Sequence, residues 1–153
     1  MLRLSKLTDY GTVVLAHMAV QPKSVHTASD LAARTHLALP TVSKLLKLFA
    51  KGGLVESFRG AQGGYKLARK PQDITAVQII DAVEGPVGIT ECSVRDGLCS
   101  LEPVCAIGHN WQRISLSIRE ALKTVTLAEL SGPMPPHSPA LKVTGGRPRA
   151  AAK

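Results

Sequence analysis

Apolar and polar positions in the first third of the chain repeat with helical spacing, in short blocks rather than one long one. In residues 8–20, TDYGTVVLAHMAV, the apolar positions Tyr10, Val13, Val14 and Met18 predict a first helix, which Pro22 ends. His17 within it reads as a satisfied or half-exposed helix residue. Thr27, followed three residues later by Asp30, reads as an N-cap with an acid at the positive end of a short helix over 28 to about 35. A brief turn through His36 to Leu39 leads to Pro40, which suits a helix's first turn. The helix it opens, 40–51, turns Val42, Leu45, Leu46, Leu48 and Phe49 inward and leaves Thr41, Ser43, Lys44 and Lys47 on the other side. Gly52-Gly53 supplies the stop. Two short helices joined by a tight turn form a helix-turn-helix.

The period then changes. LVESFRGAQGGYKLAR alternates apolar and polar residues, predicting a hairpin of 54–59 and 65–67 with Gly60-Ala61-Gln62-Gly63-Gly64 at its tip. That glycine-rich tip lacks the GK[ST] and the following helix of a phosphate-cradling enzyme loop, so it is a turn. A hairpin directly behind a helix-turn-helix is a wing. Thr75 and Gln78 form a capping box behind the staple residue Ile74, opening a helix over 76–84 whose Val77, Ile80 and Val83 pack back on the winged domain. Gly85-Pro86 ends it. From about Ile107 a heptad-like seam runs through Trp111, Ile114, Ile118, Ala121 and Val125, with Arg113, Arg119, Glu120 and Lys123 off it. A lone helix on so small a domain cannot bury such a stripe, so the favoured expectation is pairing with its twin in a homodimer; packing against the winged domain is the other. Thr126 and Glu129 form a second capping box for a terminal turn. The fold class is therefore mainly α with a small β-hairpin wing, a winged helix-turn-helix plus a long dimerisation helix. The expected divisions are a DNA-binding domain over 1–85, a cysteine-rich loop over 86–110, the dimerisation helix and terminal turn over 107–130, and a disordered Pro- and Gly-rich tail over 131–153.

Composition and charge add a partner. Of the 153 residues 44% are hydrophobic but only 3% aromatic, so the core must be aliphatic. No run approaches the roughly 18 apolar residues of a membrane span. No cleavage-site pattern follows the N-terminus, and a cytoplasmic location is expected. The formal charge of +8 is unevenly spread: residues 1–70 carry 11 basic and 3 acidic side chains, residues 71–130 carry 4 and 8, and the tail 4 and none. A basic half beside an acidic half marks a surface that meets a polyanion. The candidate DNA-binding residues are Thr41, Val42, Ser43, Lys44 and Lys47 on the second helix of the motif, with Arg59 and Gln62 on the wing. Short hydroxyls reach base edges or phosphates and lysines mostly phosphates, while a minor groove favours arginine. A dimer then wants a two-fold symmetric operator in double-stranded DNA. No nucleophile–base pair or cofactor motif supports an enzyme.

All three cysteines lie in CSVRDGLCSLEPVCAIGHNW, residues 92–111. Cys92 and Cys99 are separated by six residues, Cys99 and Cys105 by five, and Cys105 and His109 by three. An odd cysteine number without export argues for reduced thiols, and close-set thiols inside the cell are more often ligands than disulfides. Structural zinc sites usually show close C-x2-C pairs, which this segment lacks. Iron–sulfur clusters accept longer irregular spacings and a non-thiolate fourth ligand, so a cluster is favoured over zinc. Three thiolates plus one weaker donor make a labile site suited to sensing.

The opening LSKLTDYGTVVL, the wing VESFRGAQGGYKLA, the three-cysteine loop with its nearby Trp, and TLAEL together resemble the winged-helix iron–sulfur transcription regulators of the IscR and NsrR kind, over about residues 2–130. Within that family the chain is most similar to regulators of SUF cluster-assembly operons. The resemblance implies a homodimer with one cluster per subunit, whose occupancy sets promoter affinity and represses cluster-assembly genes. It carries the three thiolate ligands onto Cys92, Cys99 and Cys105. [2Fe–2S] is favoured over [4Fe–4S], with a nitric-oxide- or redox-sensing relative, or a zinc or thiol redox module without a DNA role, as the alternatives. Three departures matter. The first cysteine gap is one residue longer than usual. Gly108 stands where IscR has its histidine, so His109, one position later, and Asp9, where nitric-oxide sensors place an aspartate, are rival fourth ligands. Ser43 replaces the acidic residue of IscR's recognition helix, so the operator sequence need not carry over.

Overall fold

Ser5 fixes where the chain becomes helical: its hydroxyl accepts the N–H of Thr8, and helix α1 runs Lys6–Val20. The computed structural model describes residues 4–94, 105 and 107–133, with the side chains of Glu91 and Cys92 set aside. The expectations for Cys99 and for the tail beyond 133 lie outside the described residues. Thr8, Gly11, Val14, Leu15 and Met18 form the buried face of α1. Val13, expected on that face, is an exposed apolar residue, because the contact stripe follows the 11-14/15-18 steps rather than a 13-14 pair.

Helix α2, Ala28–Thr35, begins where the Thr27 hydroxyl accepts the N–H of Asp30 at 3.1 Å. Its C-cap, His36, adopts φ 56° and ψ 25°, the left-handed conformation that reverses the chain into the next helix. Helix α3, Leu39–Lys51, starts one residue before Pro40 and buries Val42, Leu45, Leu46 and Phe49. Gly53 at φ 69° turns the chain out of it. Strands β1, Val55–Phe58, and β2, Gly64–Leu67, pair antiparallel from Val55 opposite Leu67 to Phe58 opposite Gly64. Gly60 takes φ 106° in the turn between them, where a side chain would be strained.

The hairpin does not hang free. His26 and Tyr65 exchange both backbone hydrogen bonds at 2.8 Å, adding a single bridge to the outer edge of β2. A Cβ at Gly64 would sit 2.5 Å from the His26 carbonyl oxygen, so only glycine allows this approach. The His26 ring is buried, with Nε2 3.3 Å from the Gln21 carbonyl. The wing is thereby fastened to the turn between α1 and α2.

After a 3-10 turn over Pro71–Asp73, helix α4 spans Ala76–Glu84 and the Gln78 side chain accepts the Thr75 N–H at 3.1 Å. Val77, Ile79 and Ile80 are its buried residues; Val83 packs against the core only partly. A short helix α5, Glu91–Val94, follows. The long helix α6, Gly108–Thr124, and a terminal turn α7, Leu127–Leu130, complete the described chain. The Thr126–Glu129 capping box closes α7, with the Thr126 N–H donating to Glu129 at 2.7 Å. Its backbone then joins the start of α4: Ala76 N–H donates to Val125 and Leu127 N–H to Ile74, both at 2.8 Å. Leu127 reaches the same aliphatic core as Val14, Leu15, Met18, Leu45 and Phe49. Among the described residues no helix is long and apolar enough to cross a membrane.

Candidate nucleic-acid interface and cysteine segment

Helix α3 has two faces with different work. Four buried apolar side chains hold it in the core, and the opposite face carries a shallow groove lined by Pro40, Ser43, Lys44, Lys47, Leu48 and Lys51. These positions follow the three- and four-residue steps of one helical stripe. Lys44, Lys47 and Lys51 are exposed, and none is ion-paired among the described residues. Three exposed ammonium groups on one stripe can meet phosphates, and Thr41 and Ser43, just ahead of them, are half-buried hydroxyls. Lys51 escaped the sequence reading, where it served only as the last residue before a glycine stop. Its spacing of four from Lys47 and seven from Lys44 is the signal that finds it.

Val42 does not belong with these residues. It is 0% exposed at the centre of the core cluster. Its neighbours in sequence point outward, but the 3.6-residue turn carries its own side chain inward, where no base can touch it.

At the wing, Arg59 and Gln62 are exposed in the turn between β1 and β2. The turn is closed by the Gly63 N–H donating to Gly60 at 2.9 Å, and a Cβ at Gly63 would meet the Phe58 carbonyl at 2.5 Å. Lys66 lies with its ammonium 5.5 Å from the centre of the Phe58 ring, a cation–π contact on the strand behind the tip. Recognition stripe and wing tip are thus two basic features on one rigid unit, both tied to α1 and α2.

The cysteine segment is reached through a well-anchored approach. Asp81 on α4 accepts the N–H of Val87 at 3.0 Å and binds the Arg119 guanidinium of α6 at 2.9 and 2.8 Å, one bond to each carboxylate oxygen. That two-pronged pairing raises the Arg119 pKa above its ordinary value. Ser115, buried on α6, accepts the N–H of Ile89 at 3.2 Å. The Thr90 and Ser93 hydroxyls lie 2.6 Å apart at the start of α5. On the far side of the loop, Cys105 is half-buried, with Sγ 3.7 Å from where a Cβ at Gly108 would stand.

His109 is exposed in the first turn of α6. Asp9 is exposed on α1 and lines an apolar groove of about 260 Å³ with Ile79, Ile80, Leu122 and Val125. Cys99 and the side chain of Cys92 lie outside what is described. Among the described residues no three ligand-type side chains converge. Of the α6 seam, Ile107, Trp111 and Ile114 are exposed, while Ser115 and Arg119 face the winged domain. Ile118 and Val125 of the seam are half-buried, and Val125 lines the groove with Ile79 and Ile80, so it is chiefly the start of the apolar seam that the helix turns away from the domain.

Residues 4–133 match the Rrf2 family, whose description is iron-dependent transcriptional regulator. Protein rrf2 of Nitratidesulfovibrio vulgaris is 31% identical over 133 residues, covering 84% of this chain and 87% of that protein. Among solved structures, T. potens IscR is 33% identical with a TM-score of 0.59, covering 84% of this chain and 85% of IscR. CymR, the global cysteine regulator of B. subtilis, is 30% identical with a TM-score of 0.65, covering 86% of this chain and 97% of CymR. The helical body and the two-strand wing agree with these likenesses. The chain belongs to the Rrf2 family and is a winged-helix, DNA-binding transcriptional regulator, not an enzyme.

Proposed function

We propose that the protein is a cytoplasmic homodimeric regulator that senses an iron–sulfur cluster and represses cluster-assembly genes of the SUF type. One observation carries the reading. The only three cysteines fall in a single short segment, and that segment leaves α4 of the DNA-reading body and returns into α6.

The donors suit such a group. Cys105 is a half-buried thiol beside Gly108 at the start of α6. Cys92, Cys99 and Cys105 would be the thiolate ligands, with His109 or Asp9 as the fourth. When bound, the cluster supplies a thiolate-held, redox-labile centre whose gain or loss changes the constraint on the segment. [2Fe–2S] is favoured, since a mixed thiolate and non-thiolate donor set suits it. The chain's own part is positional. α4 and α6 hold the two ends of the segment, Lys44, Lys47, Lys51 and Arg59 meet phosphates and the minor groove, and the exposed α6 seam pairs the subunits. Thr41, Ser43 and Gln62 are left to read bases.

Similarity to IscR supports this signal, whereas similarity to CymR favours a regulator of the same fold with a different one. Anaerobic purification with visible absorbance and iron and sulfide analysis separates them. The expected result is a coloured protein carrying both elements, lost in Cys105→Ala, with DNA mobility shifts that depend on loading. Colourless protein that holds neither element after reconstitution, yet still shifts DNA, would overturn the cluster reading. His109→Ala and Asp9→Ala are expected to differ in cluster retention, and full retention in both would exclude the two named fourth ligands.

A further inference from the structure

We infer that Asp81 is a positioning residue that couples the cysteine segment to the recognition helix. The observation is a convergence of three elements on one carboxylate. Asp81 sits on α4, takes the Val87 N–H from the strand of chain leading to Cys92, and takes both prongs of Arg119 from α6. A bidentate arginine pair fixes relative orientation as well as distance. Its side chains are only 30% and 26% exposed, which sets it apart from the exposed Lys123–Glu120 pair on the same helix.

Two further contacts extend the connection. Ile89, two residues on, is held by the buried Ser115 of α6, so the approach to Cys92 is tied alternately to α4 and α6. In the other direction, Ala82 is the next residue of α4, and it abuts the end of the recognition helix. A Cβ at Gly52, the C-cap of α3, would stand 2.8 Å from the Ala82 Cβ. With so little space between them, a shift of α4 at Asp81 displaces the last turn of α3 rather than being absorbed. The path is therefore segment, Asp81, Ala82, Gly52.

The regulatory meaning of this path rests on the sensing reading above; its mechanical part does not, and the test has an arm for each. In full-length protein without DNA or added metal, amide hydrogen exchange reports the mechanical part. Asp81→Ala is expected to speed exchange at Val87 by about tenfold, and to speed it measurably at Gly52, Gly53 and Leu54, whose amides donate to the last turn of α3. Faster exchange confined to residues 85–90 would overturn the coupling. Arg119→Gln, which leaves Asp81 free to accept from Val87, serves as the milder variant if the first fails to fold, and the same pattern at about half the size is expected.

The second arm compares operator affinity of iron- and sulfide-reconstituted protein with chelator-stripped protein. Wild type is expected to show a ratio far from one, and Asp81→Ala a ratio near one at unchanged iron and sulfide content. An unchanged ratio in Asp81→Ala overturns the regulatory role. A ratio of one in wild type instead counts against the sensing reading, and hydrogen exchange alone then decides the coupling.

Discussion

Val42 and Lys47 lie five residues apart on one helix, and their exposures separate stability from recognition. Val42→Ala removes two methyl groups from a fully buried site and is expected to cost about 2 kcal/mol in urea unfolding. It should leave the operator preference of the folded protein over unrelated DNA as it was, and a lowered preference would return Val42 to the interface. Glu84 is the residue whose protonation the fold feels. The Thr8 hydroxyl and the Ser5 N–H donate to its carboxylate and hold its pKa below the ordinary 4.5. A carboxylate depressed in the folded state stabilises above its unfolded value and loses that contribution as pH falls through the folded one. Glu84→Gln should therefore flatten the loss of stability below pH 4.5 while leaving the rest of the profile in shape, as urea midpoints against pH will show.

Among the elements, α3 and the wing make the quantitative claim about DNA. Each lysine that neutralises a phosphate steepens the plot of log affinity against log salt by about 0.9. Lys44→Ala, Lys47→Ala and Lys51→Ala are each expected to reduce the slope by about that amount, nearly equally on operator and unrelated DNA. Arg59→Ala should weaken operator binding more than unrelated binding if the wing enters a minor groove. Equal slopes in all three lysine variants and wild type would remove the stripe from the interface.

These elements were legible because their signals are local: Thr27, Pro40 and Gly52-Gly53 punctuate helices, and alternation from Leu54 to Leu67 marks the hairpin. What was not legible depends on distant partners. The α5 turn, the grip of Asp81 on Val87 and Arg119, and the docking of His26 on Tyr65 leave no periodic trace. Val42 drew two readings from the sequence, an inward place by helical spacing and a DNA contact by its neighbours Thr41 and Ser43; its full burial keeps the first and removes the second.

On the scale of the whole molecule, α6 leaves an apolar strip with no cover within the described chain. Trp111 and Ile114 are 39% and 44% exposed, and Ile107 more so. In the proposed homodimer this strip is the seam, and Ile114→Asp is expected to shift sedimentation from dimer to monomer and to weaken operator binding together. A variant that sediments like wild type would move the dimer contact elsewhere. The candidate ligands were half legible by the same logic of scale. Three cysteines in one segment announce a centre, but a fourth ligand contributed by another helix or another subunit has no spacing to betray it.

Leu127 has a consequence for how the protein comes into being. Its side chain is fully buried in a core shared with Val14 and Leu15 of α1, more than a hundred residues earlier in the chain, and with Leu45 and Phe49 of α3. As the polypeptide emerges from the ribosome, the core of its first half lacks that side chain until the last described helical turn has been synthesised. The complete core of the body therefore assembles only after the cysteine segment and α6 have been synthesised.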